Sequence, residues 1–339
     1  MLDDITPASN TSGPHAFAAP PFRPRLPWLG GDLQTLRNFL TRRRPDLLEY
    51  PAQPLSLPVD DGSGDVLLGT LHQPAERAAA RPLVVLIHGL TGCEGSSYIL
   101  NSADYLLARG HAVLRLNLRG AGAARSLCRL RYHAGRTEDL QAALTGLDAE
   151  LIRHGLAFVG YSLGANMLLK FLAEHGRHWP VRAAAAVSAP IDLAAASRRI
   201  MEPRNTAYHA WLLTRMKQDL TGPLVDMTKR DRRALALTRT IWDLDDQFVA
   251  PRNSYPGAAA YYAANSALQF LPSIRVPTLA IHAQDDPWIP SEAYRGFDWS
   301  ANPALHPVLP ERGGHVGFHG RGDRVAWHDR IIADFIAAT

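Results

Sequence analysis

The string VGYSLGA, Val159 to Ala165, sets Ser162 in a G-x-S-x-G frame. The four residues Leu156 to Val159 form a short apolar run of the kind a buried strand needs, and Gly164 to His175 carries a helical pattern. Strand, sharp turn and helix in that order is the context in which this frame makes a nucleophile elbow. Its glycines stand where side chains would collide with the strand and helix packed beside the turn. Ser162 is therefore the candidate nucleophile, and the fold expected around it is α/β.

The same alternation extends in both directions. Leu83 to Ile87 (LVVLI) suits a strand buried on both faces, Ser97 to Ala108 a helix stopped by Gly110, and Ala112 to Leu116 another strand. Thr137 to His154 reads as one helix, with Thr137 as N-cap and Glu138 and Asp139 in its first turn. Strands follow at Ala183 to Val187, Thr278 to His282 and His306 to Leu309, and Val325 to Ile336 closes the chain as an amphipathic helix. Upstream, Leu47 to Leu71 reads as a hairpin around DDGSGD. The expected architecture is a mostly parallel central sheet flanked by helices. Between Pro190 and Pro272 the alternation fails, so residues of about 190–272 are expected to form an inserted helical cap on a catalytic domain of residues 28–339. Residues 1–27, rich in Pro, Ala and Ser and without apolar period, are expected to be an arm laid on the surface.

With 339 residues, 46% of them hydrophobic and 20% charged, the chain can bury a sizeable core, which excludes wholesale disorder. Two cysteines, Cys93 and Cys128, cannot supply a disulfide framework. No apolar run approaches the ~20 residues that span a bilayer, and a formal charge of +4 does not argue for nucleic acid. The sequence begins MLDDITPASN, acidic where a secretory signal is basic, and a cytoplasmic location is the expectation.

A serine hydroxyl needs a base. Of 14 histidines, His315 in ERGGHVGF fits best, following the last strand and preceding the last helix, ahead of His306 and His319. The carboxylate that orients it should lie between serine and histidine, and HAQDDPW offers Asp286 ahead of its neighbour Asp285. The oxyanion hole is expected from the backbone amides of Leu163, following the serine, and Leu90, in HGLTG directly after LVVLI. His88 is expected to hold that loop by hydrogen bonds, and Cys93 to be a loop residue. No metal ligands stand at recognisable spacing, and no cofactor is expected. Trp211, Trp242, Phe248 and Tyr255 are candidates for an acyl pocket or for packing of the cap. The arginine-rich stretches near Arg42 and Arg230 read as solvated faces, with acidic lipid headgroups as the alternative partner.

HGLTG followed by Ser97 and Tyr98, NLRGAG at Asn117 to Gly122, YHAGRTEDL at Tyr132 to Leu140, GYSLGANMLLKFL from Gly160, VSAPIDL from Val187, HAQDDPW and GGHVGF together resemble the YheT-like α/β-hydrolases (AB hydrolase family 4). WLGGDLQTL resembles the W-L-x-x-H-x-Q-T opening of that family, and LDD at Leu244 to Asp246 with Tyr261 and Tyr262 resembles its cap. Asp32 departs from the family's usual His, and VAPRNSY departs from its T-A-R and H-G-Y; both bear on substrate fit. The resemblance supports Asp286 and His315 and implies a serine esterase or lipase acting on short- to medium-chain acyl esters, monoacylglycerols among them. Alcohol acyltransferase activity is the alternative within the same chemistry, and a non-catalytic ligand-binding module the alternative outside it. The expected partner is a small ester or lipid, with transient membrane contact open and the oligomeric state unspecified.

Overall fold

The computed structural model describes residues 17–41, 44–74 and 81–339; Arg42, most of the arm and most of the Ala/Arg-rich link before Leu83 lie outside the described residues. The chain opens with α1 (Gly31–Thr41), which the sequence pattern did not disclose, and continues with β1 (Ala52–Pro58), β2 (Val66–His72), β3 (Leu83–Ile87), α2 (Ser97–Leu107) and β4 (Val113–Asn117). Next come α3 (Glu138–Thr145), α4 (Ala149–Ile152), β5 (Leu156–Tyr161), α5 (Leu163–His175) and β6 (Val181–Val187). The helical segment that follows holds α6 (Leu193–Ile200), α7 (Thr206–Leu220), α8 (Lys229–Leu237), α9 (Ile241–Leu244), a π-helical turn at Asp245–Val249, α10 (Ala250–Arg252) and α11 (Ala258–Asn265). The sheet resumes with β7 (Thr278–Ile281), α12 (Glu292–Gly296) and β8 (Leu305–Val308), and α13 (Trp327–Ala338) ends the chain.

The eight strands lie in the order β1-β2-β4-β3-β5-β6-β7-β8. The hairpin partner β2 runs antiparallel to both its neighbours, and every pairing from β4 onward is parallel, as the apolar, β-branched runs require. One face of the sheet is covered through Leu140, Leu144, Leu168 and Leu172, the other through Ile99, Leu106, Ile331 and Phe335. The expected α/β-hydrolase architecture, a mostly parallel sheet between two helical layers, is what the chain adopts.

One expected helix is two. Gly146 ends α3, and Asp148 starts α4 by accepting a hydrogen bond from the Glu150 amide. Thr137 does not cap α3 with its side chain; its hydroxyl donates instead to Glu174 Oε2 at 2.7 Å. Arg119, the arginine of NLRGAG, is buried after β4, where Asp139 of α3 binds its Nε and Nη2, and Asp61 and Asp65 of the β1–β2 turn bind Nη1. A buried guanidinium so fully paired escapes the cost of an uncompensated charge and fixes the strand-to-loop geometry around it.

The segment between β6 and β7 has its own apolar centre, built from Ile200, Leu212, Met216, Ile241, Leu244 and Phe248. It is tied back to the sheet at Asn166 of α5, which donates to Ala134 O and Asn265 O and accepts from the Ala267 amide. Among the described residues no helix is long and apolar enough to cross a membrane.

Candidate active site

Four loops at the carboxyl ends of the parallel strands β3, β5, β7 and β8 converge, as open α/β sheets favour. At the end of β5, Ser162 has φ 52° and ψ −121°, a strained conformation that turns the chain from strand into helix within one residue. A Cβ at Gly160 would lie 2.7 Å from the Ala165 Cα, and one at Gly164 would lie 2.3 Å from the His88 carbonyl oxygen, so only glycine fits on either side of the turn.

His315 lies in the loop after β8. Its Nε2 is 2.9 Å from Ser162 Oγ and its Nδ1 is 2.8 Å from Asp286 Oδ2. Asp286, buried after β7, accepts the Trp288 and Ile289 amides on Oδ1, which fixes the plane of its carboxyl. Burial alone would raise its pKa, but the adjacent His315 imidazole and these hydrogen bonds hold it below the usual carboxylate range. Its neighbour Asp285 points elsewhere and accepts the Gly314 amide at 2.9 Å. The three residues picked from the sequence therefore meet in one hydrogen-bonded chain.

The loop after β3 passes over Ser162; a Cβ on Gly89 would be 2.9 Å from the serine Cβ. Its amides are almost all taken. Gly89 donates to Tyr98 Oη, Thr91 to Tyr132 Oη, Gly92 to Gly89 O and Cys93 to Ser96 Oγ. Among the described residues only the Leu90 amide in that run finds no acceptor, and Leu90 lines the cavity beside Ser162. Leu163 is the first residue of α5, whose amide has no acceptor within the helix. His88 is buried, donates from Nδ1 to Gly89 O and accepts the Leu118 amide on Nε2; burial pushes its pKa down to about 4, so it stays neutral and braces the loop.

Four supporting contacts were not identified from the sequence. Trp288 stacks on His315 with ring centroids 4.5 Å apart. Thr35 of α1 accepts the His315 amide on Oγ1, and Tyr98 and Tyr132 hold the loop after β3 as described above. The D-P-W and Q-T strings carried the signal for the first two, but nothing in the local pattern states which loop a distant side chain will reach.

Above the serine lies a cavity of about 640 Å³, walled by Leu193, Ile200, Leu212, Met216, Ile241 and Val249 of the helical segment, with Ser162 and His315 in its lining. Of the four aromatic candidates only Trp211 lines it; Phe248 is buried in the apolar centre of the helical segment, and Trp242 and Tyr255 pack against the cluster around Tyr261 and Tyr262. One carboxyl enters this apolar wall. Asp245, at the start of the π-helical turn, accepts from Tyr262 Oη on Oδ2 at 2.5 Å, and burial pushes its pKa up to about 7. An acid whose pKa is raised on folding stabilises most below the unfolded value of about 4 and loses that contribution as pH rises toward 7. Asp245→Asn should therefore raise the melting temperature more at pH 8 than at pH 5, measured by calorimetry; an equal shift at both values would place the ionisation elsewhere.

The sequence profile of the alpha/beta hydrolase fold family matches residues 82–321, and the YheT protein of Escherichia coli (strain K12) is 35% identical over 292 residues, 85% of this chain and 84% of that one. The chain belongs to the α/β-hydrolases, in the group that resembles YheT. A second relative, the medium-chain fatty acid ethyl ester synthase/esterase 2 of Saccharomyces cerevisiae (strain ATCC 204508 / S288c), is 30% identical, with 75% of this chain aligned to 61% of that one. An esterase structure from Pyrococcus furiosus superposes with a TM-score of 0.60 over 95% of this chain and 99% of its own, at 17% identity, which speaks to fold alone. Family and relatives make this chain a hydrolase of the esterase and lipase type.

Proposed function

We propose that this α/β-hydrolase cleaves carboxylic esters of short- to medium-chain acyl groups, monoacylglycerols among them, with Ser162, Asp286 and His315 as its triad. The observation that carries the reading is the hydrogen-bonded chain Asp286–His315–Ser162 at the floor of an apolar cavity. His315 takes the proton of Ser162 as the hydroxyl attacks the ester carbonyl. The Leu90 and Leu163 amides receive the oxyanion, and His315 returns the proton to the leaving alcohol. Water, activated by the same imidazole, then releases the acid. Asp286 stays ionised, holding the tautomer and offsetting the imidazolium charge. No cofactor or metal takes part in these steps, and the helical segment of about 190–272 acts as the cap that shapes the acyl site of the domain spanning 28–339. The cytoplasm is the proposed setting.

The test is kcat/KM across p-nitrophenyl esters and monoacylglycerols of increasing acyl length. Each buried methylene is worth up to ~0.8 kcal/mol, so kcat/KM should climb by up to ~4-fold per carbon until the cavity is full, then fall. A flat profile, or one rising through palmitoyl, would overturn the medium-chain assignment. The ethyl ester synthase named among the relatives favours a second outcome for the acyl enzyme, transfer to an alcohol. Added ethanol diverting most of the acyl group to its ethyl ester at low concentration would establish that.

A further inference from the structure

The helix α1 is built inside out. A surface helix ordinarily turns its apolar stripe to the core. Here the inward stripe, buried Gln34 and Thr35 with half-buried Asn38, is polar, and each of its residues serves the loop that carries His315. Gln34 accepts the His319 amide and donates to the Trp28 and His319 carbonyls, Thr35 accepts the His315 amide, and Asn38 donates to Val316 O. The opposite face carries Leu33, Leu36 and Leu40, spaced three and four residues apart as one helical face requires. Leu33 is 42% exposed and Leu40 66%, and Leu26 and Leu29, just ahead of the helix, are exposed as well.

This apolar face adjoins the mouth of the catalytic cavity. Phe39 of α1 stands edge-on to Trp211 of α7 at 5.2 Å between centroids; both rings line the cavity and both are more than two-fifths exposed. Asp32 fastens α1 to Tyr208 of α7 and to Arg204 in the turn just before it, so the leucines and the two rings are held together as one rim. The flank is cationic. Arg44 and Arg215 are exposed at the same mouth, and the acidic Asp32 is already paired with Arg204. Asp46 and Glu49 are the exposed acids next along the chain.

We propose that this rim, α1 with Trp211, is a docking surface for an anionic lipid surface, through which ester substrates pass from the lipid phase into the cavity. Apolar side chains beside arginines are the composition that inserts at a headgroup boundary, and aromatic rings favour that depth. A second copy of this chain on the same face would sit over the cavity mouth and obstruct it. The inference rests on the esterase reading for its purpose, but its test does not require turnover.

The experiment is cosedimentation of the full chain with sonicated vesicles of phosphatidylcholine and phosphatidylglycerol, alongside vesicles of phosphatidylcholine alone. The double variant L33E/L40E changes residues outside the cavity lining, and its hydrolysis of a water-soluble short-chain ester reports that the fold is intact. The expected result is binding to the anionic vesicles that weakens at least ~10-fold in the variant and several-fold in high salt, while short-chain hydrolysis stays within ~2-fold. Ser162→Ala protein should bind as the parent does, so a failed triad assignment and a failed docking surface give different results. Absence of vesicle binding, binding untouched by L33E/L40E, or a dimer in light scattering that the variant dissolves would overturn the proposal.

Discussion

Replacing Ser162 by alanine is expected to lower ester turnover by ~10⁶, the loss seen when a nucleophile that works as a unit with its base is removed. The residue should also cease to react with a fluorophosphonate probe. A residual rate of ~10³ over the uncatalysed reaction should survive, because the Leu90 and Leu163 amides still receive the oxyanion. Folding should be unaffected, since the hydroxyl's partner is the His315 ring and alanine meets the same backbone strain as serine at φ 52°. Glycine would not meet it. Strain of ~1 to 3 kcal/mol is released there, against a smaller entropic loss, so Ser162→Gly should be more stable than Ser162→Ala by about 1 kcal/mol while equally inactive. Denaturant midpoints for the two variants measure this directly. Near-normal activity in either would remove Ser162 from the mechanism.

The sheet and the three polar residues at its edge were legible because each leaves a local trace. Buried parallel strands write continuous apolar runs, the elbow writes its glycines, and loops that follow strands write Gly and Asp-Pro. Much less legible was anything that acts across the chain. The helix α1 escaped because Leu33 and Leu40 are exposed and its buried residues, Gln34 and Thr35, are polar, the reverse of the pattern that marks a surface helix. Thr137 looked like a cap from its neighbours, but Glu174, 37 residues on, competes successfully for its hydroxyl. The same competition decides the cavity wall: aromatic content alone singled out Trp242 and Phe248, whereas burial within the helical segment withdrew them and left Leu212, Met216 and Ile241 facing the serine. Asp32 is a further instance. A departure from the family's histidine read as a matter of substrate fit; in the structure Asp32 is a tether between α1 and α7 that holds the rim of the mouth.

Asp286→Asn is expected to lower kcat by ~10⁴ with little change in KM, because the substitution reverses the tautomer of His315. The geometry makes that reversal hard to avoid. Asp286 Oδ1 accepts two amides, from Trp288 at 2.8 Å and Ile289 at 3.0 Å, and an asparagine must keep its carbonyl oxygen there. Its NH₂ group then faces His315 Nδ1, which can pair with it only as an acceptor, so the ring proton moves to Nε2, the atom that has to receive the proton of Ser162. The neighbouring substitution provides the contrast. Asp285→Asn keeps an acceptor for the Gly314 amide at 2.9 Å and leaves the imidazole alone, so kcat should fall by less than ~10-fold, an effect of loop position alone. Steady-state kinetics on one soluble ester, with thermal unfolding to show that both variants fold, separates the two carboxylates. If Asp285→Asn suffers the large loss and Asp286→Asn the small one, the orienting role passes to Asp285; equal small losses would mean that no carboxylate sets the tautomer of His315.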